Sequence, residues 1–148
     1  MLKITILAVG KIKEKYMRDA IDEYVKRMSK NYKVNFIEAQ ELDSVEKEGS
    51  ELLRLLPDNA CPVTLDLGGK MISSTDLADF IADNTSMGVS HFVFIIGGSD
   101  GLDKRLVSKA KLSICLSKMT FTHQMARLIL CEQLYRAMKI NNGEKYHK

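Results

Sequence analysis

The run HFVFII (residues 91–96) constrains the fold of this chain more than any other stretch. It is rich in β-branched and aromatic side chains, and no polar residue follows His91. A strand with one wet face alternates apolar and polar positions; a strand without that alternation is covered on both faces. Covering both faces of a sheet takes helices, and the rest of the chain supplies them. KITILAV (3–9), KVNFIEA (33–39), CPVTLDL (61–67) and LSICLS (112–117) read as four more strands. Between Glu14 and Lys30 the apolar residues Met17, Ala20, Ile21, Tyr24, Val25 and Met28 recur at helical spacing. SVEKEGSELLRLL (44–56) reads as a helix that stops before Pro57. After CPVTLDL the GGK sequence is expected to turn the chain. The next helix opens on the capping residues Ser73 to Thr75 and stops at Gly88. LDKRLVSKA predicts a short helix, and Thr122 to Ile140 a long one.

Strands separated by helices need crossovers. The expected fold class is therefore α/β, a mainly parallel sheet with helices on both faces. The chain has 148 residues, two prolines and no internal repeat or linker-like tract, which predicts one domain over residues 1–148. Cys61, Cys115 and Cys131 are an odd number with no CxxC spacing. Each sits in an apolar stretch, so buried free thiols and a reducing, cytoplasmic compartment are expected. The apolar start MLKITILAVG is too short for a secretory leader or a membrane span and reads as a first buried strand.

The last helix carries Met125, Ala126, Leu128, Ile129, Leu130, Cys131, Leu134, Ala137, Met138 and Ile140 and leaves a narrow polar stripe. Such a helix needs a second covering layer, and a homo-oligomer is the expected source. Charge is distributed in blocks: +5 over residues 1–33, −9 over 34–100 and +7 over 101–148. If the fold joins the two ends, it makes a basic face suited to an anionic polymer.

In open parallel sheets, ligands bind beyond the carboxyl ends of the strands. Three loops meet that condition: Leu65–Asp66–Leu67 into Gly68–Gly69, Ile96 into GGSDG, and Leu116 into SKMTF. GGSDG is neither GxGxxG nor a P-loop, and taken alone it is better explained by a turn that needs positive φ than by a cofactor site. LSKMTFTHQMAR places small polar groups, a thioether and an aromatic ring ahead of a helix, a composition able to wrap an adenine and an amino-acid tail. His and Cys spacing predicts no metal site. The chain ends on a glycine hinge, Gly143, followed by Tyr146, His147 and Lys148.

These stretches occur together and in order: MLKITILAVGKIKEKY, VTLDLGGK, FVFIIGGSDGL, LSICLSKMTFTHQMAR, EQLYRAMKI and GEKYHK. The set covers essentially the whole chain and closely resembles the RlmH family, bacterial ribosomal large-subunit pseudouridine N3-methyltransferases of the SPOUT superfamily. The resemblance implies a C-terminal trefoil knot, S-adenosylmethionine as methyl donor, a homodimer, no metal, and 23S rRNA in the assembled ribosome as substrate. It implies donor contacts at Leu65, Gly97, Leu116, Ser117, Lys118, Met119, Thr120 and Phe121. It also places the C-terminal segment beside the donor at the dimer interface, with His147 as proton acceptor and Tyr146 stacking on or fixing the base. Phosphate contacts are expected from Lys13, Lys15, Arg18, Lys118, Arg127, Arg136 and Lys148. The chain departs from the family's pattern at Thr122, where Pro is common, and at Lys145, where Pro or a small residue is common. A non-catalytic ribosome-associated nucleotide-binding module is the alternative. A flavodoxin-like redox protein is disfavoured, because the glycine loop lacks a phosphate-binding Ser/Thr cluster.

Overall fold

The computed structural model describes residues 1–146. Five strands and five helices follow one another: β1 (Leu2–Val9), α1 (Lys15–Met28), β2 (Tyr32–Ala39), α2 (Val45–Leu55), β3 (Cys61–Lys70), α3 (Ser74–Ser86), β4 (His91–Ile96), α4 (Lys104–Lys109), β5 (Leu112–Ile114) and α5 (His123–Asn141). The strands form one sheet in the order β2-β1-β4-β3-β5, with every paired neighbour parallel. The α/β expectation holds.

The lack of polar alternation in β4 has a direct cause. Phe92, Phe94 and Ile96 pack into one core with Ile4, Ile6 and Ala8 of β1 and with α1, α3 and α5. Val93 and Ile95 point the other way, into a core with Leu7, Val9, Leu52 of α2 and Leu106 of α4. Every side chain from Phe92 to Ile95 is 0 % exposed. Burial of each such apolar side chain contributes about 1.5–3 kcal/mol, so both faces of β4 hold the domain together. The thiols of Cys61, Cys115 and Cys131 are free and buried, and burial pushes the Cys131 thiol up to about 12.

Local signals set the helix ends. Ser73 and Asp76 form a reciprocal capping box at the start of α3, and Ser44 caps α2 by accepting from the Lys47 N–H. Thr122 caps α5, its Oγ1 accepting from the Met125 N–H at 3.1 Å.

The structure corrects two expectations. GGK does not turn the chain: β3 runs on to Lys70 with a shift in register, and the Cys115 N–H donates to the Lys70 carbonyl at 3.0 Å. Gly69 makes this possible. A Cβ there would stand 2.7 Å from the Ile114 backbone and 2.8 Å from that of Ser113, so only glycine lets the strands approach this closely. β5 is accordingly short, ending at Ile114 rather than Ser117. The second correction concerns α5. It packs against both α1 and α3, and Leu130, Cys131, Leu134, Ala137 and Met138 are buried inside the chain itself. What stays partly open is a narrower strip that includes Met125, Leu128 and Ile129. The packing of α1 on α5 also brings the two basic segments of the sequence together.

Candidate functional site

The carboxyl ends of β3, β4 and β5 open into a cavity of about 950 Å³, within the range of small-molecule and cofactor sites. Its floor is apolar, made by Leu65, Ile96, Ile114 and Leu116. One wall is the loop from Gly97 to Leu102, and another runs from Ser117 into the first turn of α5. The third comes from the start of α1, where Glu14, Tyr16 and Met17 line the cavity.

The glycine loop is tightly folded. The Gly101 N–H donates to the Gly98 carbonyl at 3.1 Å. A Cβ on Gly97 would lie 2.5 Å from the Gly101 carbonyl oxygen and 3.0 Å from the Leu102 Cα. Gly97 is therefore required by the loop's own closure, and Gly101 carries the positive φ of the expected turn. Helix α2 backs this loop. The Glu48 carboxylate is 8 % exposed, accepts from the Leu42 N–H at 3.0 Å, and lies so close to Gly98 that a Cβ there would come within 2.9 Å of it. A Cβ on Gly49 would strike Asp103 at 2.3 Å. Asp103 in turn caps α4 and pairs with Arg105 at 2.8 Å. The hydrogen bond from Arg105 holds the Asp103 carboxyl below its ordinary range.

The wall before α5 is ordered by its own side chains. Ser117 Oγ accepts from the Met119 N–H at 3.0 Å, and Cys115 Sγ donates to the Ser117 carbonyl at 3.2 Å. Of the eight expected donor contacts, the structure gathers Leu65, Gly97, Leu116, Ser117, Met119, Thr120 and Phe121 around this one cavity. Lys118 is exposed in the same loop but stands outside the lining.

The phosphate-contact expectations divide. Lys13 and Lys15 are exposed at the start of α1, Lys15 within 2.7 Å of Asp19. Arg18 is exposed, with Nη1 donating to the Ile12 carbonyl at 3.0 Å and the Lys13 carbonyl at 2.9 Å. Arg127 departs from expectation. It is 2 % exposed, with Nη1 paired to Glu38 at 2.6 Å and Nη2 donating to the Gly10 carbonyl at 3.0 Å. Its charge ties α5 to the ends of β1 and β2, and its burial leaves it no open surface for a phosphate. Arg136 is half-buried and paired with Glu132. His147 and Lys148 lie outside the described residues.

Tyr146 folds back on its own chain. Its ring meets Tyr135 edge-on at 4.8 Å, the Arg136 guanidinium stands 4.7 Å from its centroid, and its hydroxyl lies 3.5 Å from Glu132 Oε1. Burial, then the Glu132 carboxylate, pushes the phenol above its ordinary value. It stays protonated at neutral pH and is no proton acceptor there.

Sequence reading missed Glu14, Tyr16 and Met17 as cavity residues, although an aromatic at the head of a basic helix was the available signal. It also missed the bracing by Glu48 and Gly49, for which the sequence holds none. The lining includes Glu14, Asp66 and Asp100 and, among the described residues, no Lys or Arg. An apolar floor, backbone-rich walls and a negative lining fit a flat heterocycle joined to a cationic centre, as in S-adenosylmethionine. No group of three or more His, Cys, Asp or Glu among the described residues is placed to hold a metal ion. No helix among them is long and apolar enough to cross a membrane.

Comparison with known proteins agrees with this geometry. Residues 2–147 match the family described as "Predicted SPOUT methyltransferase". The chain is 48 % identical to ribosomal RNA large subunit methyltransferase H of Clostridium botulinum (strain Alaska E43 / Type E3), over 99 % of this chain and 100 % of that one. It is 47 % identical to the protein of the same name from Clostridium novyi (strain NT), with the same coverage. Among solved structures, a probable methylase family protein from Haemophilus influenzae Rd KW20 shares the fold, with a TM-score of 0.51 at 13 % identity over 98 % of this chain and 70 % of that one. Fold, cavity and full-length relatives converge: this chain belongs to the SPOUT methyltransferase family, in the branch of ribosomal RNA large subunit methyltransferase H.

Proposed function

We propose that the protein is an S-adenosylmethionine-dependent methyltransferase acting on N3 of a pseudouridine in large-subunit (23S) rRNA, in the assembled ribosome and as a homodimer. The observation that carries this reading is the apolar-floored cavity at the ends of β3, β4 and β5, lined by no Lys or Arg among the described residues and by seven of the eight expected donor contacts. The relatives' name supports the rRNA substrate. The trefoil crossing of the C-terminal segment belongs to the same reading.

The bound donor supplies an electrophilic methyl group on a sulfonium centre. The chain's part is placement. Leu65, Ile96 and Leu116 offer the apolar bed for the heterocycle, and backbone groups of the 97–102 and 116–121 loops can read its edge. Ser117 and Thr120 offer hydroxyls to the amino-acid end. The N3 of a uracil-type base carries a proton and is a weak nucleophile until that proton is lost or shared. His147 takes the role of acceptor. Tyr146, whose ring lies against Tyr135 and Arg136, stacks on the target base or fixes its edge. In a dimer those residues serve the partner's donor site.

The strip of α5 around Ile129 is the proposed dimer face. Leu130 is 1 % exposed and faces the core, so its replacement reports on folding. Ile129→Glu, on the half-buried side, should instead give folded monomers by light scattering. A dimer of unchanged mass would move the interface elsewhere.

The exposed lysines at the head of α1 are the proposed phosphate contacts. The double variant Lys13→Glu, Lys15→Glu should weaken ribosome binding and flatten its salt dependence, with a slope smaller by about 1–2. Donor affinity should not move. An unchanged salt slope would exclude this helix from the RNA face. The reading as a whole is tested by calorimetry. The protein should bind S-adenosylmethionine, one per subunit at most. A folded protein that binds none would favour the non-catalytic module.

A further inference from the structure

Five of the nine large apolar side chains left exposed rim the cavity: Tyr16, Leu67, Met119, Phe121 and Met125, the others being Met1, Leu42, Met71 and Met87. Scattered exposed apolar residues need no explanation, but a cluster around one opening does. Tyr16 stands out within it. Its neighbour Met17 is 5 % exposed and anchors α1 in the core, whereas Tyr16 is 71 % exposed. Helix periodicity thus turns Tyr16 outward while its backbone is held fixed. Among the described residues it has no ring partner and no hydrogen bond.

The charges around it are sorted. Inside the cavity the lining is acidic and without Lys or Arg. Lys13 and Lys15 precede Tyr16 in sequence, are exposed and stand outside the lining. An aromatic face at the opening with cations beyond it is the arrangement that binds an unpaired nucleotide, with the base stacked inward and phosphates held outside.

We propose that Tyr16 is a stacking platform for an unpaired base of the RNA substrate at the mouth of the donor cavity. This rests on the methyltransferase reading above and adds to it a specificity-determining residue. Stacking needs the ring and not the hydroxyl, so the aromatic variants separate it from a hydrogen-bonding or packing role. Tyr16→Leu keeps apolar bulk but loses the flat face. It should raise KM for ribosomes about tenfold, leaving kcat within about twofold because the interaction is made equally in ground and transition states. Tyr16→Phe and Tyr16→Trp should keep KM within about twofold of the parent. The mass by light scattering should be unchanged in all three, and calorimetric donor affinity, since Tyr16 also lines the cavity, should fall by much less than ribosome affinity.

Three results would overturn the proposal. Tyr16→Leu could retain the parental KM. Its donor affinity could fall as far as its ribosome affinity, which would make Tyr16 a donor contact. Its mass could fall to a monomer's, which would make this face an interface with a second copy. Failure of the parent protein itself to methylate ribosomes would instead remove the methyltransferase reading on which the proposal rests.

Discussion

His147→Ala should slow methyl transfer by about a hundredfold or more while donor affinity, dimer mass and thermal stability stay unchanged. A protonated N3 does not attack, and an imidazole placed beside it is the group at the end of this chain able to take the proton near neutral pH. Deleting His147 and Lys148 together should give the same loss. Tyr146 must be left in place, because its ring packs against Tyr135 and Arg136. Tyr146→Phe should cost less than about threefold, since the ring carries the anchoring and the phenol stays protonated. Because the tail is proposed to act across the dimer, mixing gives a sharper test. A heterodimer of a Gly97→Val subunit with a His147→Ala subunit has one sound cavity and one sound tail on different chains. It should recover up to about half of the parental rate if the site is shared, since one of two sites is intact. Heterodimers that form and stay inactive would assign the tail to its own subunit's cavity or to none. His147→Ala at the parental rate would remove it from the chemistry altogether.

Gly97→Val should weaken donor binding severely, and methyl transfer by about a hundredfold or more, the scale on which a misplacement of about 1 Å acts on rate. The cause is internal to the loop. Any Cβ at residue 97 meets the Gly101 carbonyl at 2.5 Å, so the 97–102 turn must open and its backbone leaves the cavity wall. Overpacking of this kind costs about 1–3 kcal/mol, which a domain stable by about 5–15 kcal/mol survives. Calorimetry on the folded variant, with thermal unfolding as the control, checks this. Gly97→Ala should fall between the two, as the milder form of the same clash. Parental donor affinity in a folded Gly97→Val protein would place the donor elsewhere.

Much of the fold is legible in the sequence because its signals are local. The uninterrupted apolar β4, the period of α1 and the capping residues Ser73 to Thr75 each announce an element without reference to the rest of the chain. What could not be read depends on distant neighbours. GGK looks like a turn until Ser113 and Ile114 are known to lie against Gly69. Arg127 reads as a surface cation until Glu38, 89 positions away, is seen beside it. The apolar length of α5 implies a cover, but not that α1 and α3 of the same chain supply most of it. The candidate site follows the same rule. Strand ends and glycines pointed to its loops, whereas the contribution of α1 and the bracing of the glycine loop by Glu48 and Gly49 arise only from packing.

This cavity and the C-terminal residues are proposed to transfer a methyl group together to a base in large-subunit rRNA. The most direct test is to incubate the protein with methyl-labelled S-adenosylmethionine and ribosomes from cells lacking it, then to recover the 23S rRNA and analyse its nucleosides by mass spectrometry. The account predicts one labelled methyl per 23S rRNA, on N3 of a pseudouridine, in the parent protein and none above background in Gly97→Val. Label absent from 23S rRNA, or carried on another atom or another RNA, would contradict it.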